Sequence, residues 1–259
     1  MCNKIKILSI TNHLKNICEY HPTYNLTFGE YYLNFPVYNF LIGVGLVLSF
    51  LYVINQSKKY CKELIGTKFI IITLASLLIG FLSASLINVF LFNTKISNIA
   101  KVGMTFYGGF VGLLFFLIIS RMTFKNYIQI WNICIPTIPL THAFGRIGCF
   151  FAGCCYGRYI ELFNIQFRIP TQIISSIFLF ILFFFLHKIK STYKILLYLI
   201  LYSLFRFMIE FFRGDIRSNF YNSFLSISQY ISIVIFILSL IILAFIFLYK
   251  GKLILRRTL

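Results

Sequence analysis

Long apolar runs, separated by short polar and basic stretches, fill the chain from residue 38 onward. Seven such runs can be read from the sequence: 38–55, 69–92, 104–120, 127–145, 172–187, 193–212 and 225–249. They do not alternate polar and apolar residues as the strands of a membrane barrel would. Runs approaching 20 apolar residues satisfy their backbone in a bilayer as helices. The pattern therefore predicts an all-α integral membrane protein with about seven transmembrane helices.

Two features qualify this pattern. The fourth run contains Pro136 and Pro139, which predicts a kinked or broken segment, because proline cannot donate a helical hydrogen bond. Residues 1–37 are polar and rich in tyrosine, without an apolar core long enough for a signal peptide. We expect residues 1–37 to form a polar outer segment, residues 38–250 the membrane domain, and residues 251–259 a basic cytoplasmic tail.

Composition removes the other classes of protein. Hydrophobic residues make up 59% of the 259 residues and charged residues only 12%, with 32 phenylalanines. A soluble domain is about half apolar and about a quarter charged. The composition excludes a water-soluble enzyme, a disordered chain and a disulfide scaffold. The 7 cysteines are an odd number and do not follow the spacing of a disulfide framework.

The net charge of +18 is concentrated in short loops and at predicted helix ends. This distribution is typical of a protein held against anionic lipid headgroups, and it speaks against a nucleic-acid partner. The loops that follow the first, third and fifth runs, together with the C-terminus, hold more lysine and arginine than the opposite side. By the positive-inside rule, we expect the N-terminus outside and the C-terminus in the cytoplasm.

Ionisable residues at membrane depth are costly and usually functional. One segment that carries them runs from His142 to Arg158 and includes Arg146. The planar guanidinium of Arg146 is suited to clamping a phosphate, while glycines would allow the backbone to approach a ligand closely. The alternative is that the small residues permit helix packing and that Arg146 extends to the interface. The glycines of this segment are Gly145, Gly148, Gly153 and Gly157.

A second segment places Tyr202, Arg206 and Glu210 at intervals of four residues. On a helix these side chains share one face, so Arg206 and Glu210 can form an ion pair. The pair is either purely structural or part of a polar stripe that faces a cavity, which is where such residues usually point in a membrane helix.

Five motifs, in the same order and spacing over about residues 27–245, resemble the prolipoprotein diacylglyceryl transferase family. They are Gly108-Gly109-Phe110-Val111-Gly112, Gly145-Arg146-Ile147-Gly148 through Arg158, Pro170-Thr171-Gln172, Arg206-Phe207-Met208-Ile209-Glu210-Phe211-Phe212-Arg213 with Asp215, and Leu225-Ser226-Ile227-Ser228-Gln229.

The resemblance implies a seven-helix enzyme of the bacterial inner membrane that needs no cofactor or metal. Such enzymes move the diacylglyceryl group of phosphatidylglycerol to the lipobox cysteine of a preprolipoprotein and release glycerol phosphate; we expect a monomer. By the resemblance, Arg146 and Arg206 hold the lipid phosphate and Glu210 orients Arg206. The residues expected to line the substrate site are Tyr38, Gly108, Gly109, Cys149, Gly153, Cys154, Gly157, Gln172 and Tyr202.

The chain departs from the family pattern at several polar positions. Tyr107 stands where the family has histidine before its glycine turn, and Cys149, Ala152 and Cys154 replace two asparagines and a glutamate. His142 precedes Arg146 by four residues and can share its helix face, so we expect it to serve as the base, together with Tyr107 as a catalytic residue. The alternative is a structural histidine at a helix end.

Cys149, Cys154 and Cys155 form the one cysteine cluster of the sequence. Small polarizable side chains in a cavity wall are the first interpretation, and a disulfide or reactive thiol is the second. A zinc site is the third, since His142 would supply a fourth ligand but adjacent cysteines suit zinc poorly. Two rival functions stay open: the same fold with a different acceptor or reaction that uses this cluster, and a lipid-binding or transport protein without catalysis.

Overall fold

The computed structural model describes residues 23–28, 31–60, 66–92, 106–162, 165–189, 193–214 and 225–258. The helices within these ranges are α1 (Val37–Tyr60), α2 (Thr67–Phe92), α3 (Phe106–Thr123), α4 (Tyr127–Cys134), α5 (Thr137–Phe151), α6 (Thr171–Lys188), α7 (Lys194–Glu210) and α8 (Ile227–Thr258). The strands are β1 (Thr23–Phe28), β2 (Tyr31–Pro36), β3 (Tyr159–Leu162) and β4 (Ile165–Arg168). Residues 1–22 of the expected outer segment lie outside the described ranges.

Each of the seven apolar runs contains a helix, which confirms the all-α membrane class. In the described part of the chain, four helical stretches are long and apolar enough to cross a bilayer: Val37–Tyr60, Thr67–Ile87, Thr171–Lys188 and Ile227–Leu248. Gly108–Thr123 is a shorter apolar helix. Large apolar side chains on these helices are exposed, as in Phe245 at 68% and Ile181 at 62%. Such a surface suits lipid rather than water. That the other runs also cross the membrane stays a prediction.

The fourth run is broken rather than continuous, as its prolines predict. Helix α4 ends at Cys134 and α5 begins at Thr137, with Pro136 at the N-cap of α5. Pro136 has no N–H to continue the ladder of α4. Pro139 is accommodated inside the first turn of α5, where N–H groups lack helical partners in any case. The break divides the run into helices of 8 and 15 residues.

Residues Leu51–Cys134 form one compact unit. Its core cluster of buried residues consists of Val53, Phe69, Ile72, Phe116, Ile130 and Ile133. The rings of Phe69 and Phe116 meet edge to face with centroids 6.2 Å apart. Trp131 Nε1 donates a 2.8 Å hydrogen bond to Ser120 Oγ, which ties α4 to α3. Apolar packing and the hydrogen bond of the Trp131 indole therefore hold this unit together.

Residues Met1–Phe50 and Ile135–Leu259 form the second unit. Its described strands make two antiparallel hairpins, β1 with β2 and β3 with β4. Ser49 Oγ lies 2.7 Å from Thr141 Oγ1, which joins α1 to α5. Ser176 Oγ donates to the Ala143 carbonyl at 3.1 Å and joins α6 to α5. The rings of Phe178 and Phe205 stack at 3.9 Å between α6 and α7.

The hairpin of β1 and β2 was not predicted from the polar N-terminal segment. Strand β2 ends at Pro36 and α1 begins at the next residue. At the other end of the chain, α8 continues through residue 250 to Thr258. The expected boundary between the membrane domain and the tail is therefore not the end of a helix.

Buried serines on the helices donate hydrogen bonds from their hydroxyl groups to backbone carbonyls of the same helix. Ser76 donates to the Ile72 carbonyl at 2.6 Å, and Ser175 donates to Thr171 at 2.6 Å. This i to i−4 bond satisfies a polar group where no water is available. Serine can thus occupy helix faces that pack closely without leaving an unpaired hydroxyl.

Two adjacent glycines of α3 differ sharply in their surroundings, and this gives a stability test. A Cβ at Gly108 would collide with the backbone of Ala84 on α2, whereas a Cβ at Gly109 would meet nothing within 4 Å. We expect Gly108→Ala to lower the free energy of unfolding by about 1–3 kcal/mol through overpacking. Gly109→Ala is the matched control and should be neutral or slightly stabilising, because alanine favours helix. Thermal unfolding in detergent measures both; an unaffected Gly108→Ala would contradict the close packing of α2 on α3.

Candidate active site

The two polar sequence segments are joined through their backbones. Gly157 and Arg213 form an antiparallel β-bridge. On either side of it, Arg158 N donates to the Phe212 carbonyl at 2.8 Å and Gly214 N donates to the Tyr156 carbonyl at 3.0 Å. The loop after α5 is therefore fixed to the end of α7. Residues 56 positions apart in the chain become neighbours.

Gly157 is required by this junction. A Cβ at Gly157 would collide with the carbonyl oxygen of Ile169 and would lie 2.9 Å from the carbonyl oxygen of Phe212. Close approach of backbone to backbone accounts for this glycine, whereas the family resemblance predicts that it lines the substrate site. Its expected contact with substrate stays a prediction.

Glu210 is the carboxylate at the centre of the site. Its Oε2 lies 2.9 Å from Arg206 Nη2 and 3.8 Å from Arg213 Nε. The three residues are buried, with 8%, 9% and 7% of Glu210, Arg206 and Arg213 exposed. The ion pair expected from the spacing of Arg206 and Glu210 is therefore present. Because one carboxylate serves two guanidinium groups, the cluster retains positive charge.

The start of α8 completes this cluster. Ser226 Oγ donates to Glu210 Oε1 at 3.2 Å, and Arg206 Nη2 donates to Ser228 Oγ at 3.3 Å. Ser226 and Gln229 form a reciprocal capping box: Ser226 N donates to Gln229 Oε1 at 2.9 Å and Gln229 N donates to Ser226 Oγ at 3.3 Å. This cap fixes where α8 begins and thereby places both serines.

Arg146 and His142 pair on one face of α5, as their spacing predicts. Arg146 Nε donates to His142 Nε2 at 3.2 Å. The ring of His142 faces Tyr202 of α7 with centroids 5.5 Å apart, and Tyr202 stacks on Tyr198 at 5.6 Å. His142 is within electrostatic range of both Arg146 and Arg206. The arginines of the two segments therefore belong to one site, with His142 and Tyr202 between α5 and α7.

The hydrogen bond also bears on the expected role of His142 as a base. Nε2 already accepts a hydrogen bond from Arg146, so its lone pair is engaged in this arrangement. His142 orients the guanidinium of Arg146 as the structure stands. Its action as a base requires Arg146 to turn to another acceptor.

The loop that follows α5 is held by the first residues of α6. Gln172 Nε2 donates to the Cys154 carbonyl at 2.7 Å, and Thr171 Oγ1 donates to the Cys155 carbonyl at 2.8 Å. Gln172 was expected to touch substrate, and the structure shows it fixing the backbone of the cysteine loop. The ring of Tyr38 packs on Gly148 of α5, with Cδ2 3.0 Å from the position that a Cβ would take there.

Cys149, Cys154 and Cys155 come together in this loop. Their Sγ atoms all lie within 4.8 Å of one another, and all three are unbridged. Hydrogen bonds from Cys149 and Cys154 hold the pKa of the Cys155 thiol well below its ordinary value, with help from the charges of Arg213 and Arg146 and against the effect of desolvation. The loop thus favours a thiolate at Cys155.

The other predicted residues are distributed as follows. Gly108, Gly109 and Tyr107 lie on α3 in the unit Leu51–Cys134; the side chain of Tyr107 and the whole of Asp215 lie outside the described part of the structure. Gly153 has a left-handed φ of 65°, a conformation that glycine adopts without steric cost. The turn explains this glycine independently of any ligand.

Three contributors lie within the sequence motifs but were not predicted to be site residues. Arg213, Thr171 and Ser226 each bind a residue or loop of the site. Two of them had a readable signal, since Arg213 follows Glu210 by three residues and Ser226 precedes Gln229 by three in a capping-box pattern. Thr171 had none, because its partner lies 16 residues away across a turn.

Fold and site together define a class: a polytopic helical membrane protein with two buried arginines that share one carboxylate. A model of the family described as prolipoprotein diacylglyceryl transferase matches residues 28–245. The chain belongs to this family of bacterial membrane transferases.

Two curated relatives illustrate the likeness. The phosphatidylglycerol–prolipoprotein diacylglyceryl transferase of Clostridium tetani (strain Massachusetts / E88) is 31% identical over 231 residues, covering 79% of this chain and 90% of its own. The enzyme numbered 2 of Clostridium perfringens (strain 13 / Type A) is 30% identical over 227 residues, covering 77% and 86%. Both alignments span most of each chain.

The buried carboxylate gives a test of the site's electrostatics. We expect Glu210→Gln to lower the free energy of unfolding by about 3 kcal/mol, because it leaves Arg206 and Arg213 without their shared anion. Turnover should fall only in part if Glu210 acts through Arg206. Glu161→Gln, which changes an exposed carboxylate on β3, is the control and should alter neither property. A Glu210→Gln protein as stable as the parent yet wholly inactive would make Glu210 a direct participant.

Proposed function

We propose that the protein transfers the diacylglyceryl group of phosphatidylglycerol to the lipobox cysteine thiol of a preprolipoprotein. The observation that carries this proposal is the charge of the site: Arg206 and Arg213 share the carboxylate of Glu210, and Arg146 is hydrogen-bonded to His142 rather than to an acid. An excess of fixed guanidinium charge in a buried site is suited to a phosphate. The names of the relatives supply the substrates.

The reaction has two requirements that such a site must meet. The acceptor sulfur must be present as a thiolate, and the phosphate that leaves must be stabilised as its negative charge grows. Arg146 and Arg206 are assigned the second task. Glu210 and His142 hold these two guanidinium groups in place, at 2.9 Å and 3.2 Å respectively.

The proposal includes a location. We place the chemistry at the outer side of the bacterial cytoplasmic membrane, with the N-terminus outside, the C-terminus in the cytoplasm, and the protein acting as a monomer. The basic residues of alternate loops support this orientation. Residues 1–37, 38–250 and 251–259 would then be the outer segment, the membrane domain and the cytoplasmic tail.

Complementation of a bacterial strain depleted of its own diacylglyceryl transferase tests the function. We expect growth when the parent chain is expressed and no growth when the double variant Arg146→Ala/Arg206→Lys is expressed at the same membrane level. Absence of growth with a well-expressed parent would favour a different acceptor, or lipid binding without catalysis.

The arginines can be tested by turnover of phosphatidylglycerol with a lipobox peptide, measured as glycerol phosphate released. We expect Arg146→Ala to lower the rate by at least a hundredfold, since the loss of one donor to a developing oxyanion costs about 3 kcal/mol. Arg206→Lys should have a similar effect, because lysine keeps the charge on Glu210 paired but loses the planar fork. Arg121→Ala, at an exposed position, is the control. Near-normal turnover in both site variants would remove phosphate chemistry from the proposal.

His142 can be tested with two replacements that separate its possible roles. We expect His142→Ala to reduce turnover at least tenfold. His142→Gln keeps an acceptor for Arg146, so it should restore the rate if histidine only orients the guanidinium, and fail if histidine is a base. A base must be deprotonated, so the parent's rate should rise with pH to a plateau, and this limb should disappear in His142→Gln. An active His142→Ala beside an inactive Tyr107→Phe would assign the decisive role to Tyr107 instead.

A further inference from the structure

The turn after α5 gathers three cysteine side chains at one point. Ala152 N and Cys154 N donate to the carbonyls of Gly148 and Cys149 at 2.9 Å and 3.1 Å, so the chain folds back on the last turn of the helix. Cys155 then takes a left-handed φ of 60°. In this conformation its Sγ lies within 4.8 Å of the Sγ atoms of Cys149 and Cys154. Adjacency in sequence therefore does not prevent Cys154 and Cys155 from sharing a ligand.

The turn is fixed from outside as well. Thr171 and Gln172 hold it, and they are only 2% and 4% exposed. Their side chains donate hydrogen bonds to the carbonyls of Cys155 and Cys154, respectively. The three sulfurs are thus held on a supported backbone. Cys154 is exposed while Cys149 and Cys155 are half-buried, so the cluster is open on one side.

We propose that Cys149, Cys154 and Cys155 bind a zinc ion as three thiolates and leave its fourth position open. Tetrahedral zinc with Zn–S bonds of about 2.3 Å requires sulfurs about 3.8 Å apart. The observed Sγ–Sγ distances are no more than 4.8 Å. Small rotations of the side chains would shorten them to the required value. Zinc with three protein ligands and a vacant position is the arrangement of catalytic rather than structural sites.

The surrounding charge suits this ion. Three thiolates and Zn²⁺ carry a net charge of −1, and the cysteine loop is bridged at Gly157 to Arg213, one of the two arginines that share Glu210. His142 is not needed as a ligand, because its Nε2 accepts from Arg146. The fourth position therefore falls to a group from outside the chain.

The chemistry follows if the proposed transferase function holds, on which this step rests. An acceptor cysteine thiol that coordinates the zinc releases its proton to water and becomes a thiolate. Its sulfur lone pair attacks the glycerol methylene carbon of the phospholipid. A C–S bond forms as the C–O bond to phosphate breaks, and that electron pair leaves with the phosphate oxygen. Glycerol phosphate departs, and the neutral thioether, a weaker ligand, frees the zinc for the next thiol.

Metal analysis of the purified full-length protein tests the site without reference to activity. After growth with Zn²⁺, purification in detergent under reducing conditions and removal of loose metal, we expect about one zinc per chain. The Cys149→Ser, Cys154→Ser and Cys155→Ser proteins should each lose most of it. Cys134→Ser, which changes a cysteine of α4, should retain it. A parent free of zinc, or a triple serine variant that retains it, would overturn the site.

A titration of the parent with Cd²⁺ removes any dependence on the folding of the variants. Binding to three thiolates should produce a sulfur-to-metal charge-transfer absorption that saturates at one equivalent, and a lipobox peptide with its cysteine should increase this absorption where its serine analogue does not. No absorption at one equivalent would overturn the site. An absorption indifferent to the cysteine peptide would overturn the open position.

Complementation separates this proposal from the transferase function. Growth supported by the parent but lost in the triple serine variant would support the zinc-bound acceptor. Growth supported equally by both would overturn it while leaving the transferase in place. If the parent binds zinc but does not support growth, the metal site holds and the proposed reaction fails.

Discussion

A charge carried into a low-dielectric interior must be neutralised or hydrogen-bonded there, and in this protein most of that requirement falls on Glu210. Its carboxylate pairs with Arg206 of α7 and with Arg213 of the segment that follows α7. It also accepts a hydrogen bond from Ser226, the residue before α8. A chain with few acids can bury several arginines only if they share one. The arrangement of the polar interior follows from this scarcity, and so does its remaining positive charge.

The small number of acidic residues also explains why the two polar segments are joined by backbone hydrogen bonds rather than by further ion pairs. The pairing of Gly157 with Arg213 uses main-chain groups that need partners in any case. It leaves the guanidinium of Arg146 to interact with His142 rather than with another acid. Neutral main-chain groups thus hold the two segments together, and the guanidinium groups are not used for this purpose.

Local rules were enough for the parts of this structure that repeat along a helix. Length and hydropathy predicted the helices, Pro136 predicted the break, and the spacing of Arg206 with Glu210 and of His142 with Arg146 predicted two side-chain contacts that the structure contains. Each depends on residues within one or two helical turns.

Contacts between distant residues could not be derived in the same way. The collision that forbids a side chain at Gly157 involves Ile169 and Phe212, and the anchors of the cysteine loop come from α6. The left-handed turn at Cys155 contradicts the usual preference of a residue with a Cβ. Such features are settled by tertiary packing, which one sequence does not display.

The serine cap of α8 has a different consequence, because this helix follows the rest of the polar cluster in the chain. Until it docks, Glu210 lacks the hydroxyl of Ser226 and Arg206 lacks that of Ser228. The polar interior therefore stays incomplete until α8 has been synthesised and has docked. A chain that stops before α8 would keep the Arg206–Glu210 ion pair but lack both hydroxyl partners.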